Sequence, residues 1–482
     1  MLTRWRSYLV EVAFFFYFLA RHMSVPLFQE YIQAETLKNT IEKNKATLSS
    51  DVKKLSNASS VSEPDSATEA QQQSAITVLA LLVAEGLPAV IMVVLLGAIS
   101  DRMGKRKVLL WLPSLGMVCY AFVYVMTVYT GWSLDGLFMA AALRGLTGSM
   151  PAFLAGATFF AVNCVSEEHR ASRLAIQEFL NGLTFALGNI IVGYWVKNSG
   201  FAQPFWFVTG CSLVAVIVSM FGVEEVTPPD SLIHDTNCCS RMFGPILKLF
   251  RCAERTSLRI WLAIMAFQSF SFIALGQEIT TVLYLLGAPH SWSPVNIGVY
   301  LFVMMGLSAV GAVLGTYLLG RFLSLSENSL CMAGYLSKAL GMMWFGIIMN
   351  DGLKYITTIL LVLQLIPMPM LRSIVSRQAP TTDHGSLFAL MHCGQGITFF
   401  LAPLVFTAIY SATLQYFTGF VFIAAVIMLA VPSGFTIAIR VFEDDKGPRG
   451  IYERMAQPDT QSLEMMAEST ASTPTDAASV QG

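Results

Sequence analysis

Charged residues are scarce in this sequence, and neither sign prevails among them. Asp, Glu, Lys and Arg make up 13% of the 482 residues, and the formal net charge at pH 7 is −1. A chain this close to neutral gives no electrostatic reason to bind nucleic acid, which is therefore excluded as a partner. The sequence also contains no nucleotide-binding loop, metal-ligand spacing or nucleophile constellation. It predicts a protein that is not an enzyme and holds neither a metal nor a cofactor.

Apolar residues dominate instead, at 55% of the chain with a mean hydropathy of +0.60. This composition is typical of a protein embedded in a lipid bilayer, where each helical crossing takes about 20 mostly apolar residues. None of the apolar runs alternates as a barrel strand would. The predicted fold class is therefore all-α integral membrane with twelve transmembrane helices, called spans 1 to 12. They are predicted at 7–28, 75–99, 108–129, 134–162, 171–196, 204–223, 259–286, 295–319, 329–349, 355–377, 385–410 and 415–440.

The polar stretches divide the spans into two sets of six. Residues 1–223 form the N-terminal bundle, which includes a long outer loop at 29–74. A cytosolic linker at 224–258 leads to the C-terminal bundle at 259–441. Residues 442–482 are predicted to be a disordered cytosolic tail, because they are rich in Ser, Thr, Ala and Glu and poor in aromatic residues.

Lysine and arginine in the short loops indicate the orientation of the chain. They concentrate in the loop after span 2 and in every second loop from there, as well as near both ends of the chain. The positive-inside rule therefore predicts that both termini are cytosolic. Asn57 begins a glycosylation sequon in the outer loop. Tyr452 to Met455 resembles a tyrosine-based sorting signal, which favours the plasma membrane, the endolysosomal membrane or both.

The loop after span 2 reads GAISDRMGKRK from Gly97 to Lys107. Its glycines permit close helix approach and a tight turn, Asp101 can cap a helix or pair with a base, and the cations stay in the cytosol. The pattern resembles the loop signature of the major facilitator superfamily. LRGLTG, from Leu143 to Gly148, resembles a second signature of that superfamily. The resemblance implies two six-helix bundles that give alternating access to a central cavity.

Longer blocks resemble the solute carrier 46 family within that superfamily. They are VEVAF at 10–14, FLNGLTFALGNIIVGYW after Glu178, and PMPMLRSIVSRQAPTTDHGSLFALM at 367–391. The resemblance implies a proton-coupling role for Glu178, a substrate and proton role for Arg372, and a role for the loop signature and the start of span 4 in the conformational cycle. The residues carried over for that cycle are Asp101, Arg102, Gly104, Arg106 and Arg144.

Two departures from the family pattern bear on the solute. Ala274 stands where the family's folate transporter has a histidine, and Ser291 stands where family members have a cysteine in an L-C-W motif. A second cysteine, usual in the first outer loop, is also missing. These departures weaken the case for folate, and the identity of the solute stays open.

Ionisable residues inside spans are costly in hydrocarbon, by about 2.5 to 3.5 kcal/mol each, and so are candidates for function. Glu178 and Glu278 are the predicted proton-coupling acids, because a buried carboxyl can bind and release a proton near neutral pH. The alternative for Glu178 is a structural pairing with Arg144 or Arg173. Glu11 and Arg21 are predicted near the ends of span 1, where long side chains can reach water.

The predicted substrate-binding residues are Arg372, Lys338, Gln277, His392 and Gln395. A guanidinium suits a carboxylate through forked hydrogen bonds, with a salt bridge to an inner-loop acid as the alternative. His392 and Gln395 could equally form helix-to-helix hydrogen bonds. The sequence thus predicts a secondary transporter of a small organic anion, coupled to protons. A proton-independent facilitator and a non-transporting solute sensor are the alternatives, and a monomer is predicted, with a homodimer as the alternative.

Overall fold

The computed structural model describes residues 8–52, 63–132, 135–225, 255–286, 290–378, 384–413 and 416–444. Every regular element within these ranges is a helix. Asn57, most of the predicted central linker, Tyr452 and Met455 lie outside the described residues, so the predicted glycosylation site and sorting signal have no structural counterpart here.

Spans 1 to 6 follow one another through the first half of the chain. They consist of Leu9–Val52, Glu63–Met103, Val108–Thr130, Asp135–Leu146 with Ser149–Asn163, Glu167–Ser199, and Ala202–Ile217, which a π-helix continues over Val218–Gly222. Spans 7 to 12 consist of Arg255–Leu286, Pro294–Phe322, Glu327–Ile347, three short helices described below, His384–Thr413, and Phe420–Met428 with Ala430–Asp444. Within the described residues, eleven helices are long and apolar enough to cross a membrane.

Span 10 is the crossing with the longest interruption, whereas the two helices of span 4 and of span 12 are separated by only two residues and one residue respectively. The short helix Asp351–Lys354 lies in the connection before span 10, helices Ile356–Leu360 and Pro367–Gln378 form the span, and residues 361–366 form turns between them. Pro367 and Pro369 explain the interruption, because proline cannot donate a backbone hydrogen bond to the preceding turn. The predicted break of span 10 at these prolines is confirmed.

The first two helices are longer than the sequence pattern predicts. Span 1 continues as helix through residue 52, and the helix of span 2 already begins at residue 63. Much of the predicted outer loop at 29–74 is therefore helical, which corrects the prediction of a loop. Residues 29–52 contain no glycine or proline and many Glu, Lys, Ala and Gln, all of which favour helix.

The two halves meet along five main pairs of spans: 2 with 11, 4 with 10, 4 with 11, 5 with 8, and 5 with 10. Small residues allow the closest approaches. A Cβ atom added at Gly97 would lie 2.3 Å from the Cβ of Ala389, and one added at Gly182 would lie 2.8 Å from that of Ala309. We call the end of the bundle that carries the loop between spans 2 and 3 the basic end, and the opposite end the far end.

Candidate functional site: charged residues inside the bundle

Glu178 of span 5 and Arg372 of span 10 form a buried ion pair. Their side chains are 9% and 3% exposed. Arg372 also donates to the hydroxyl of Thr158 at 3.4 Å, and Asn181 donates to Glu178 at 3.4 Å. The pair joins the two halves, because span 5 belongs to the first and span 10 to the second.

Thr158 extends this network to span 11. Its hydroxyl lies 3.1 Å from Nε2 of His392, and Nδ1 of the same ring lies 2.8 Å from the amide oxygen of Gln395. Three of the predicted substrate-binding residues, Arg372, His392 and Gln395, are therefore connected through one chain of polar contacts with the predicted coupling acid Glu178. We call this chain the inter-half network.

Lys338 anchors a separate group in the second half. Its ammonium donates to the amide oxygens of Gln277 at 2.5 Å and Gln364 at 3.2 Å. Gln364 in turn donates to Ser308 of span 8 at 2.9 Å. The predicted residues Lys338 and Gln277 thus meet, and Gln364 holds them near the broken part of span 10.

Glu278 is the predicted acid with the fewest contacts. It is half-buried on span 7, and among the residues that the structure describes no hydrogen bond or ion pair involves its carboxylate. It follows Gln277 in the chain but does not form a salt bridge with Lys338. Lys338 and Arg21 interact with its carboxylate electrostatically but form no ion pair with it, so the carboxylate is available for a proton.

Glu85 of span 2 is a charged residue of the interior that the sequence analysis did not single out. One carboxylate oxygen accepts from Arg144 of span 4 at 3.2 Å, and the other accepts from the hydroxyl of Ser149. The signal was present in the sequence, because Glu85 is an acid inside an apolar run.

Arg21 lies close to this pair, although the sequence predicted it near water at the end of a span. Arg21 is 7% exposed, and its Nε atom is buried without a hydrogen-bond partner among the described residues. The prediction was wrong because it ended span 1 at residue 28, whereas the helix continues to residue 52 and keeps Arg21 within the bundle.

The alternative partners proposed for Glu178 are occupied elsewhere. Arg144 pairs with Glu85, and Arg173 forms two hydrogen bonds to Glu11, at 2.6 and 3.1 Å. Glu11 is therefore held by an ion pair instead of reaching freely into water. Arg372 pairs within the membrane with Glu178, not with an acid of an inner loop.

The loop signature forms a tight turn at the basic end. Gly104 has φ of +62°, which favours glycine. The guanidinium of Arg106 lies over the ring of Phe159 at 4.1 Å, and the backbone N–H groups of Arg106 and Lys107 donate to the carboxylate of Glu225. Asp101 and Arg102 lie in the last turn of the helix of span 2, and the described geometry does not extend to their side chains.

The basic end is closed by polar contacts between the halves. Arg170 donates from Nη1 to the backbone oxygen of Ser376 at 3.3 Å. Nδ1 of His384 lies 3.2 Å from Oδ1 of Asn163. Together with the approach of Gly97 to Ala389, these contacts join spans 2, 4 and 5 of the first half to spans 10 and 11 of the second.

The connections at the far end carry their own ionisable cluster. Nδ1 of His290 lies 2.9 Å from Asp351, and burial lowers the pKa of His290 while Asp351 acts against that shift. Lys354 is fully buried and its ammonium lies 4.3 Å from the centre of the Tyr284 ring. Burial lowers the pKa of Lys354 to about 8, and Asp351 opposes this effect.

Comparison with known proteins gives consistent matches over most of the chain. The family model of the Major Facilitator Superfamily matches residues 10–403. The lysosomal proton-coupled steroid conjugate and bile acid symporter of Gallus gallus is 24% identical over 434 residues, covering 88% of this chain and 92% of that protein. The proton-coupled folate transporter of Rattus norvegicus is 30% identical over 344 residues, covering 70% and 73% respectively.

Solved structures show the same fold. The crystal structure of the human organic anion transporter MFSD10 matches with a TM-score of 0.68 at 14% identity, over 91% of this chain and 99% of that one. The superfamily transporter FucP, in its outward conformation, matches with a TM-score of 0.60 at 14% identity, over 90% and 98%. At such identities the likeness concerns the arrangement of helices alone.

Proposed function

Because the chain belongs to the major facilitator superfamily and, within it, to the solute carrier 46 family, we propose that it is a proton-coupled symporter of an organic anion. The observation that carries the proposal is the buried ion pair between Glu178 and Arg372. Each member of this pair lies on a different half, so whatever breaks the pair also loosens the two halves from each other.

Arg372 can hold only one strong anionic partner at a time in so confined a place. While Glu178 is ionised, its carboxylate is that partner. Protonation of Glu178 removes the negative charge and frees the guanidinium for the acid group of a solute, which it can bind through forked hydrogen bonds. Proton binding and anion binding are thereby linked at one residue pair.

This exchange also explains why the proton and the anion would move together. An ion pair of Glu178 with Arg372 and a complex of protonated Glu178, Arg372 and a monoanion are both neutral. A protonated Glu178 without solute leaves an uncompensated buried guanidinium, and a solute beside ionised Glu178 adds an uncompensated negative charge. Both are costly away from water. The two neutral states are therefore the ones that favour the change of access.

The surrounding polar residues give the solute further contacts. His392 and Gln395 lie on the same network as Arg372, and Lys338 with Gln277 supplies a second cationic position. Glu278, with its unengaged carboxylate, is proposed as a second proton site. Arg144 and the turn residues Asp101, Arg102, Gly104 and Arg106 are proposed to act in the change of conformation.

The proposed solute is a bulky amphipathic anion. The similar proteins named above are symporters of folate, of steroid conjugates and of bile acids, which share an extended ring system and an acid group. The departures at Ala274 and Ser291 favour the steroid-like class over folate. The protein is a multi-pass membrane protein. We propose that its basic end and both termini face the cytosol. We also propose that it lies in the plasma membrane and traffics to endolysosomal membranes. A closed basic end is what an outward-facing or an occluded state requires.

Uptake measurements test the proposal. Cells or proteoliposomes containing the protein are given labelled estrone sulfate, taurocholate and folate at outside pH 5.5 and 7.4. We expect accumulation of an anion that is higher at pH 5.5, and a flattened pH profile for Glu178→Gln. The matched control is Glu30→Gln, the same substitution at an exposed position of the helix that forms span 1. Accumulation with an unchanged profile in Glu178→Gln would favour a facilitator, and binding without accumulation would favour a sensor.

A further inference from the structure

Two small cavities, of about 30 and 50 Å³, lie in the first half of the bundle and at its contact with span 11. Arg21, Leu82 and Glu85 line both of them. One extends past Ser149 and Pro151 of span 4 to Gly396 and Phe399 of span 11. The other extends between spans 1, 2 and 3. In this conformation they have room for a small acid group, and a whole organic molecule would need a wider opening.

Arg21 is the charged group of this region that forms no ion pair within the part of the chain that the structure describes. Only 7% of Arg21 is exposed. Its guanidinium lies over the face of Phe399, at 5.5 Å from the ring centre. Glu85 is the nearest candidate acid, but each of its oxygens already accepts a hydrogen bond, one from Arg144 and one from Ser149. Among the residues that the structure describes, no hydrogen bond or ion pair occupies Arg21.

The charges that line the cavities do not balance. Arg21 and Arg144 are cationic and Glu85 is anionic, and the remaining lining side chains are uncharged. The lining side chains therefore carry one positive charge in excess, and Glu278 of span 7 is a further acid that interacts with Arg21 electrostatically without forming an ion pair with it. A buried guanidinium without a partner is unfavourable unless a water-accessible cavity or a ligand supplies the missing acceptors.

We propose that Arg21 is the principal residue of a second anion site, which binds the carboxylate or sulfate group of the transported solute. The proposal rests on the proposed transport function and adds a binding site on spans 1, 2 and 4 to the one at Arg372.

The walls of the site are aromatic on two sides. Phe28, Tyr120 and Tyr124 line the cavity on the side of spans 1 and 3, and Phe399 lies on the other side. The rings of Phe28 and Tyr124 are stacked at 4.0 Å, so they present a preformed apolar surface. A cation outside any ion pair, beside aromatic walls, suits an acid group joined to a ring system, which is the chemistry shared by steroid sulfates and bile acids.

The site also lies on a route to the inter-half network. Pro151 lines the cavity and Thr158, which contacts Arg372, lies two turns further along the same helix, at about 10 Å. On span 11, Gly396 lines the cavity and His392 is one turn away. Arg21 would thus receive the acid group first, and Arg372 would receive it after Glu178 is protonated.

Reaction rates of a cysteine beside Arg21 test the site without knowledge of the solute. Val25 is half-buried, lines the same cavity and lies one turn from Arg21. In Val25→Cys we compare two methanethiosulfonate reagents, the anionic ethylsulfonate and the cationic ethyltrimethylammonium compound. The ratio of their reaction rates, anionic to cationic, should be about tenfold higher at this cysteine than for a thiol in free solution. The chain without Val25→Cys gives the background from native cysteines. A ratio equal to the solution value in the otherwise unaltered chain would overturn the proposal.

Charge variants on that background separate the site from a general field. Arg21→Gln should remove the preference for the sulfonate, whereas Arg21→Lys should keep most of it. Arg440→Gln, the same substitution at an exposed position of span 12, should leave it unchanged. A preference that persists in Arg21→Gln would show that another group attracts the anion.

Equilibrium binding of estrone sulfate and uncharged estrone to the purified protein completes the test. Arg21→Gln should weaken binding of the sulfate about tenfold or more and leave estrone unaffected. Equal affinities of Arg21→Gln and the unaltered chain for the sulfate would contradict the Arg21 site while leaving the Glu178 and Arg372 proposal intact. That proposal fails separately, through an absence of uptake or an unchanged pH profile in Glu178→Gln.

Discussion

The carboxylate of Glu178 and the guanidinium of Arg372 are counter-ions across the boundary between the two halves of the bundle. Neither has another oppositely charged partner within the described contacts of its own half. The stability of the closed arrangement and the binding of solute therefore depend on the same two side chains, and their contributions can be separated by exchanging them.

Exchange of the pair should restore stability without restoring transport. We expect Glu178→Gln and Arg372→Gln each to lower the free energy of unfolding, by about 3 to 5 kcal/mol where the remaining charge stays buried. The double variant Glu178→Arg, Arg372→Glu should recover much of this loss. Its uptake should remain low, because the cation is then displaced from Thr158 and the network on span 11. Thermal unfolding and uptake on the same preparations check both statements.

Recovery of transport in the exchanged pair would contradict the assigned role of Arg372. It would show that the ion pair is needed only to hold the halves together, whichever way its charges face.

Lys338 should affect affinity for the anion more than stability. Lys338→Met leaves the two amide oxygens without their donor, which costs about 1 to 3 kcal/mol, but removes the cost of burying an ammonium. We therefore expect a small change in melting temperature and a rise of about tenfold or more in the KM for the anion. Lys38→Met, at an exposed lysine, is the control. An unchanged KM would remove Lys338 from the binding site.

Closure of the basic end should depend on the absence of a side chain at Gly97. Because even a Cβ atom there would lie 2.3 Å from Ala389, Gly97→Leu should hold spans 2 and 11 apart. We expect greater access of membrane-impermeant reagents to the interior from the basic end, and slower uptake. Gly210→Leu is the control, since nothing lies within 4 Å of a Cβ atom added there.

Lys354 should make stability rise with pH in the alkaline range. Its pKa in the folded protein is lowered to about 8 by burial, whereas the ordinary value is near 10.4. Between these values the unfolded chain holds the proton and the folded chain does not, so the free energy of unfolding increases with pH. Melting temperatures at pH 7.5 and 9.5 should therefore differ more in the unaltered chain than in Lys354→Met. Equal differences would contradict the lowered pKa.

The sequence was sufficient for the parts of the fold that depend on local chemistry. Apolar runs of membrane length identified the spans, and Pro367 and Pro369 identified the interruption of span 10. A turn at Gly104 could be predicted because this glycine lies between an apolar run and a set of bases. Each of these features depends on residues that are neighbours in the chain.

Partners were harder to predict than the residues themselves. An isolated acid or base in an apolar run indicates a functional position, which is why Glu178 and Arg372 could be identified. Their mutual pairing depends on how spans 5 and 10 are placed in space, and that information is spread over many helix contacts. The burial of Arg21 was predicted wrongly for a related reason. It depends on where the helix of span 1 ends, and the polar residues after residue 28 led to a predicted end there, although the helix continues.

The proline within the first helix is a point at which its long extension can bend. Pro26 leaves the carbonyl of His22 without its usual helical donor, directly beside Arg21. Beyond it, residues 27–52 continue as uninterrupted helix for about 39 Å. A bend of about 10° at this joint, of the kind proline permits, would displace the tip by roughly 7 Å over that length. A fluorophore pair with one member near residue 50 would therefore register events at the arginine as a change in distance far outside the lipid.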